Sequence, residues 1–357
     1  MKRTVLLAYT ALFITFFVPF MQLRAQTEGT PPLDGAPIES LLPETSAPLP
    51  ATARPSTLPE QSAPPQASPS PAIEPAAAET PAPEEIVLLL ESGTERKMGM
   101  DEYVLCVLAA EMPAAFEPEA LKAQAVAART YAMYCAAANK HGSAQVCGDF
   151  GCCQAWISRD KQRENWGADY DKNLEKLQAA VSQTQGEYLA YEGAPVFAAF
   201  HSSSAGKTED CGRVWNPRPY LVSVDSPETA EDVPNYISRL DCAPLDFRDT
   251  ILSACPDADF SGSEAEWIGE ILRDESGRVE SAELGGVTIK GTELRRLFSL
   301  RSTAFTLEYS DGRIIFTVTG FGHGVGMSQY GANVMAKNGA GYAEILAHYY
   351  PGAVLVK

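Results

Sequence analysis

Basic charge is what this chain has least of. Its 28 Lys and Arg stand against 46 Asp and Glu, a formal net charge of −18 over 357 residues. No large basic face can be assembled from that balance, which excludes a nucleic acid as partner. The cations still suffice for a local basic groove inside an acidic shell. Two catalytic signatures are also missing. There is no G-x-S-x-G elbow, which argues against a serine hydrolase. The Gly-dense segment from Gly320 to Ala332 lacks G-x-G-x-x-G spacing and is followed by no P-loop lysine, so a nucleotide site fails. No internal repeat is present.

The N-terminus supplies Met1-Lys2-Arg3 and then an apolar run from Thr4 to Met21. Such a run is a secretory signal or a short membrane anchor. Leu23 stands where a cleavage site needs a small residue, so residues 1–25 are expected to stay as an anchor. Lys2 and Arg3 place the N-terminus inside and the remainder outside. Residues 26–85 hold 15 of the 26 prolines, and nine acidic residues against the single Arg54. No hydrophobic period appears, so this stretch is expected to be a disordered, semi-stiff stalk.

Order is expected to begin with a strand at 86–90. Asp101 is placed as an N-cap. Val104, Val107, Leu108 and Glu111 then recur at i, i+3, i+4 and i+7, one face of a helix that Pro113 ends. A second helix is predicted from Pro118 through Cys135, with Pro118 in its first turn. A helix near 174–184 precedes a hairpin of 187–191 and 196–200 about Gly193. A second hairpin pairs 305–309 with 314–318 across Asp311-Gly312. A helix follows over 328–337. The fold class is α+β. Helices and antiparallel strands over 86–357 are expected to make a two-lobed catalytic domain with a cleft, 228–300 forming the second lobe.

Among residues that could carry chemistry, Glu111 is the sharpest. It lies on an apolar stripe at the C-terminal end of its helix. Burial and the negative helix terminus both disfavour its charged form, as a general acid at neutral pH requires. A salt-bridged helix-end Glu is the bland alternative. Lys122 and Arg129 are seven apart and share a helix face, suited to substrate binding, to orienting Glu111, or merely to solvation. His141, Cys147, Cys152 and Cys153 fall within 13 residues. Thiolates with an imidazole suit tetrahedral, structural zinc, and a disulfide or free thiols are the alternatives. Eight cysteines outside the cytoplasm pair, bind metal or are buried. His201, Ser202 and Ser203 sit in a polar loop after a strand. His323 and Gln329 are the polar members of the Gly-dense loop. Both loops are expected to line a cleft with Glu111, the glycines permitting close backbone approach to a ligand.

Several segments together resemble the stage II sporulation protein D family and its amidase-enhancer relatives. They are Glu111-Met112-Pro113, the run Glu119 to Ala132 containing Lys122 and Arg129, Cys153-Gln154-x-Trp156 and Thr184-x-Gly186. Further matches are Phe200-His201-Ser202-Ser203-Ser204 with Thr208-Glu209, Val214-Trp215, Pro219-Tyr220-Leu221, the loop from Gly320 to Ala332, Tyr342, and His348-Tyr349-Tyr350-Pro351-Gly352. Ala205 departs from the usual glycine of the serine loop. The resemblance implies a peptidoglycan lytic transglycosylase that cuts glycan strands, peptide-free ones, to 1,6-anhydro-muramyl ends during engulfment in sporulation. It implies Glu111 as acid/base, needed roles for Lys122 and Arg129, and zinc at His141, Cys147, Cys152 and Cys153. It also implies an amidase of the stage II sporulation protein P type and a membrane scaffold as partners, with the anchor in the mother cell's engulfing membrane. The alternative is a non-enzymatic, wall-binding activator of an amidase.

Overall fold

The computed structural model describes residues 83–357. The expected anchor and all but the last three residues of the expected stalk lie outside the described residues.

Strand β1 (Glu85–Leu89) turns back into β2 (Glu95–Gly99), which runs directly into α1 (Met100–Glu111). Gly99 is the residue before this helix and makes no side-chain cap, so Asp101 sits inside the first turn rather than capping it. A carboxylate there still meets the positive helix end. Helix α2 (Pro118–Ala138) starts on its proline, as the sequence predicts, and ends at Asn139 in the left-handed conformation. It is the centre of the first core. Ala120, Ala123, Ala125, Ala127, Ala128 and Ala132 are fully buried along it. Their short side chains let neighbouring helices approach closely at little entropic cost.

A short β3 (Val146–Cys147) pairs parallel with β1. Helices α3 (Arg159–Trp166) and α4 (Tyr170–Gln183) follow. Strand β4 (Tyr188–Tyr191) pairs with β5 (Ala194–Pro195) around Glu192 and Gly193, both at positive φ. Here the expected hairpin is corrected. Residues 196–199 leave the ladder to fill the core, and β6 (Phe200–His201) pairs parallel with a distant strand instead. Val196, Phe197, Ala198 and Ala199 form a continuous apolar run buried on all sides, so they have no solvent face to alternate with.

A one-turn helix α5 (Cys211–Val214) precedes the second core. That core contains β7 (Ile237–Cys242), α6 (Pro244–Ala254), β8 (Ile268–Arg273), β9 (Val279–Leu284), β10 (Val287–Lys290), α7 (Gly291–Leu297), β11 (Phe305–Ser310) and β12 (Arg313–Thr319). Two three-stranded antiparallel sheets, ordered β10-β9-β8 and β11-β12-β7, enclose Phe247, Phe305, Phe316 and Trp267. The β11–β12 hairpin turns at Asp311-Gly312, both at positive φ, as that dipeptide predicts. The chain then returns to the first core through β13 (Met327–Ser328), α8 (Gln329–Lys337), α9 (Tyr342–Tyr349) and β14 (Val354–Val356). Strand β13 is the parallel partner of β6, and β14 closes the β4 sheet. The two short parallel pairs lie outside the expected antiparallel pattern, because their halves are more than 50 residues apart in sequence and no local signal marks them.

The Gly-dense loop is pressed against the serine loop. A Cβ on Gly326 would stand 2.0 Å from the Ala199 carbonyl oxygen, and its φ is +70°. That oxygen accepts from the Met327 N–H and the Tyr350 hydroxyl, so it cannot move away freely. Gly326→Ala is therefore expected to destabilise the protein by about 3 kcal/mol or more, read as a lower urea midpoint at unchanged slope.

Candidate functional site

Glu111 is the last residue of α1. Pro113 cannot continue the helix, and the Met112 N–H closes it on the Leu108 carbonyl. The carboxylate is partly exposed, and its Oε1 accepts from the Ala155 N–H at 2.8 Å. Burial holds its pKa above the usual carboxylate range, with Ala155 and Gln329 pulling the other way. Gln329 thus lies beside Glu111, as expected of the Gly-dense loop. Its Nε2 is buried and makes no hydrogen bond of normal geometry. The buried amide is directed at the carboxyl and favours its charged form, so it orients Glu111.

Gln329 owes its place to a network the sequence did not reveal. Ser328 caps α8 by accepting from the Gly331 N–H at 3.1 Å. Its hydroxyl donates to Glu228 Oε1, which also accepts from the Ser204 N–H at 2.6 Å. Glu228 Oε2 accepts from the Ser226 hydroxyl, itself 2.9 Å from the Tyr349 hydroxyl. A buried carboxylate thus ties the serine loop to the start of α8. Glu228 lies in a stretch with no motif or period, and only a long-range contact gives it meaning. It also lines a cavity of about 530 Å³ with Gly206, Tyr236, Thr306 and Thr317. Glu111 is not part of that lining.

The other candidates fall in different places. His201 is almost fully buried. Its Nδ1 is 3.2 Å from the Val325 carbonyl and its Nε2 is 2.6 Å from Ser204 Oγ. Ser203 is buried in an antiparallel bridge with Phe321, and Ser202 gives its carbonyl to the Tyr330 N–H. The expectation that His201 and Ser203 contact substrate is corrected, since the glycine loop covers both. His323 packs its ring 4.7 Å from Trp215 and 5.8 Å from His201. Its pKa falls to about 3, through burial and then the Arg295 and Arg278 charges. It is therefore neutral near pH 7 and serves as an acceptor from the Val325 N–H rather than as a proton donor. Arg278 is 1 % exposed, with Glu209 Oε2 at 3.9 Å from its Nε.

Lys122 and Arg129 share a face, but it is not the face of Glu111. Arg129 is 0 % exposed. Its guanidinium donates to the Glu187 carbonyl and to Asp101, each at 3.0 Å. Lys122 pairs with Glu119 at 2.6 Å and lies 5.7 Å above the Tyr342 ring, whose hydroxyl donates to Glu187. Among the described residues neither cation has a hydrogen bond or ion pair with Glu111. Substrate contact by Arg129 is thus corrected to a structural role, joining α1, α2 and the approach to β4. Arg129→Ala is expected to cost about 3 kcal/mol, because it unties three segments around a fully buried side chain. Thermal unfolding checks this, with Arg129→Lys recovering part of the loss.

His141, Cys147, Cys152 and Cys153 do come together. Their ligand atoms lie within 4.8 Å of one another. His141 Nε2 is 3.2 Å from Cys153 Sγ and 3.7 Å from Cys152 Sγ. Ligand atoms ~2.0–2.3 Å from a tetrahedral zinc would be slightly closer, so small side-chain adjustments suffice, and the residues fit the ion. Cys135 of α2, absent from the expected set, lies close enough to raise the pKa of the Cys153 thiol. No disulfide joins any of the eight cysteines.

Comparison with known proteins places these features. The sequence profile of the family described as Stage II sporulation protein matches residues 92–191. Stage II sporulation protein D of Bacillus amyloliquefaciens is 38 % identical over 258 residues, 71 % of this chain and 73 % of the relative. The protein of the same name from Bacillus subtilis (strain 168) is similar to the same extent. The amidase enhancer of Bacillus subtilis (strain 168) is 28 % identical over 70 % of this chain and 39 % of its own length.

Proposed function

Because the chain belongs to the stage II sporulation protein D family, we propose that it is a peptidoglycan lytic transglycosylase with Glu111 as its acid/base. The observation that carries this reading is a single partly exposed carboxyl at the end of α1, held toward its protonated form by burial, with the Ala155 N–H and Gln329 beside it. A glycosidase using water needs two carboxyls at ~5–9.5 Å. A transglycosylase needs one. Glu111 protonates the glycosidic oxygen leaving the muramic C1. The resulting carboxylate then takes the proton of the same residue's 6-hydroxyl, whose oxygen bonds to C1 and closes the 1,6-anhydro ring. The two steps together return Glu111 to its protonated starting state. Gln329 orients Glu111 beside the reacting bond. The cleft is formed by the end of α1 and the start of α8, with the serine loop as its brace.

Zinc held by His141, Cys147, Cys152 and Cys153 has a structural part. Four protein ligands leave no position for water. The ion would fix the loop after α2, which leads to Ala155, the donor to Glu111. Residues 1–25 retain the protein at the membrane with the catalytic domain outside the cytoplasm. An amidase that strips stem peptides and a membrane scaffold complete the assembly at the engulfing membrane. The likeness to an amidase enhancer favours one second reading, a wall-binding activator without chemistry of its own. Incubating the full-length protein with peptide-free glycan strands separates the two. Anhydro-muramyl products mark the enzyme, and intact strands mark the activator.

A further inference from the structure

We propose that Glu209 is a proton-controlled tie between the two cores: as a neutral acid it donates to Ser276, and on ionising it releases Ser276. This holds whichever reaction the Glu111 site performs. Glu209 follows the serine loop and is 4 % exposed. Its N–H donates to the Gly324 carbonyl at 2.8 Å, and it forms a parallel bridge with Val325, so its backbone is fixed to the Gly-dense loop. Its carboxyl reaches residues 274–278, the turn between β8 and β9 in the second core.

The hydrogens at this contact can be counted. Asp274 Oδ1 accepts from the Ser276 N–H at 2.9 Å, the Arg278 N–H at 3.0 Å and the Ser276 hydroxyl at 2.6 Å. Three donors on one oxygen fix Asp274 as the ionised member. The Ser276 hydroxyl has a single hydrogen, and Asp274 takes it. Glu209 Oε2 nevertheless stands 3.2 Å from Ser276 Oγ. Two bare acceptors at that distance would repel, so the hydrogen between them belongs to Glu209. Its other oxygen, Oε1, accepts from the Asp210 N–H at 2.8 Å, as the carbonyl of a neutral acid does. Arg278 does not take the place of that hydrogen. Its Nε is 3.9 Å from Glu209 Oε2, beyond hydrogen-bond length, and its three guanidinium nitrogens are buried without a hydrogen bond.

The surrounding charges set where the carboxyl ionises. Burial raises its pKa to about 7 and Asp274 adds to the rise, while the Asp210 N–H and the Arg278 charge oppose it. Asp210, Arg213 and Glu275 line a cavity of about 410 Å³ with Glu209, which gives the proton a route to water. His323 of the Gly-dense loop stays neutral throughout this range. When Glu209 ionises, its hydrogen bond to Ser276 becomes a contact between acceptors and it faces a second carboxylate. Arg278 lies against the same loop, since a Cβ on Gly324 would stand 2.5 Å from its Cζ. The ionised carboxylate is therefore drawn from Ser276 toward this guanidinium, which offsets only part of the loss. A raised folded pKa favours folding at low pH, and that contribution disappears as pH rises through the folded value. The tie is closed below about pH 7 and weakens above it.

The test follows thermal unfolding of the full-length protein from about pH 5 to about pH 9. Burial raises the Glu111 pKa too, so every protein compared carries Glu111→Gln. Adding Glu209→Gln makes the tie permanent, because its amide N–H donates to Ser276 at every pH and its Oε1 still accepts from Asp210. The expected melting temperature equals the parent's near about pH 5–6 and exceeds it by roughly 3–6 °C near about pH 8–9. Adding Asp274→Asn instead removes the neighbouring charge and should move the parent's decline to lower pH. Hydrogen exchange, corrected for the intrinsic rate at each pH, locates the effect. Protection of residues 274–278 and 322–326 should fall with rising pH in the parent and hold in Glu209→Gln. A gap between Glu209→Gln and its parent that stays constant across the range overturns the proposal. If Glu209→Gln does not fold, a decline in Asp274→Asn at the parent's own pH overturns it.

Discussion

Glu111→Gln is expected to abolish glycan cleavage, by a factor of about 10³ or more, while leaving strand affinity within a few-fold. Gln preserves the shape and can still accept from the Ala155 N–H at the position of Oε1. What it loses is the proton. General acid–base catalysis is worth about 10²–10⁴, and here the same group acts in both halves of the reaction. The pH dependence follows from the direction of the shift. Burial raises the Glu111 pKa above its ordinary 4.5. The active protonated form therefore persists to higher pH than for a free Glu, and cleavage declines as pH rises through the raised value. Stability carries the same sign. A group with a raised folded pKa favours folding below its unfolded pKa, and that contribution is lost as pH rises through the folded one. Glu111→Gln has no such loss. The variant should match the wild type near pH 4 and equal or exceed its melting temperature at pH 7–8. A variant that is inactive and also markedly less stable at pH 7 would point to a structural Glu111.

Metal removal should have the next largest effect, and on stability rather than chemistry. The protein is expected to hold about one zinc per chain. Chelation should lower its melting temperature by roughly 10–20 °C. The donor atoms are brought together from the loop after α2, the end of β3 and the loop that follows it. Cys153→Ser should have a similar effect, since Cys153 is the thiol nearest His141. Cys255→Ser, against the second core, should not. Zinc should also be released as pH falls, because protons compete for thiolates and imidazole. Elemental analysis without metal, together with a disulfide at Cys147 in peptide mapping, would contradict the assignment.

Much of the fold could be read from local pattern. Pro113, Pro118 and the stripe through Glu111 marked the helical pair to within three residues at every end, because helix ends have chemical markers. Asp311-Gly312 marked its hairpin for the same reason. The β6–β13 pairing carried no marker, since two residues on each side cannot announce a partner over 120 positions away. The site divided in the same way. The four metal-type donors lay close in sequence and were visible. Gln329 was placed by the density of glycines around it. Glu228 was hidden because its partners, Ser204 and Ser328, lie 24 residues before it and 100 after it. Arg129 was read as a substrate-binding cation because its partners, Asp101 and Glu187, approach from distant segments that the helix pattern does not show.

The most direct test of Glu111 as the acid/base of a glycan-cleaving enzyme is mass analysis of the products from peptide-free strands. The wild-type protein should release fragments ending in 1,6-anhydro-muramic acid, lighter by one water than hydrolysis products, and Glu111→Gln should release none. Intact strands with the wild type, reducing ends in place of anhydro ends, or equal turnover by Glu111→Gln would each contradict it.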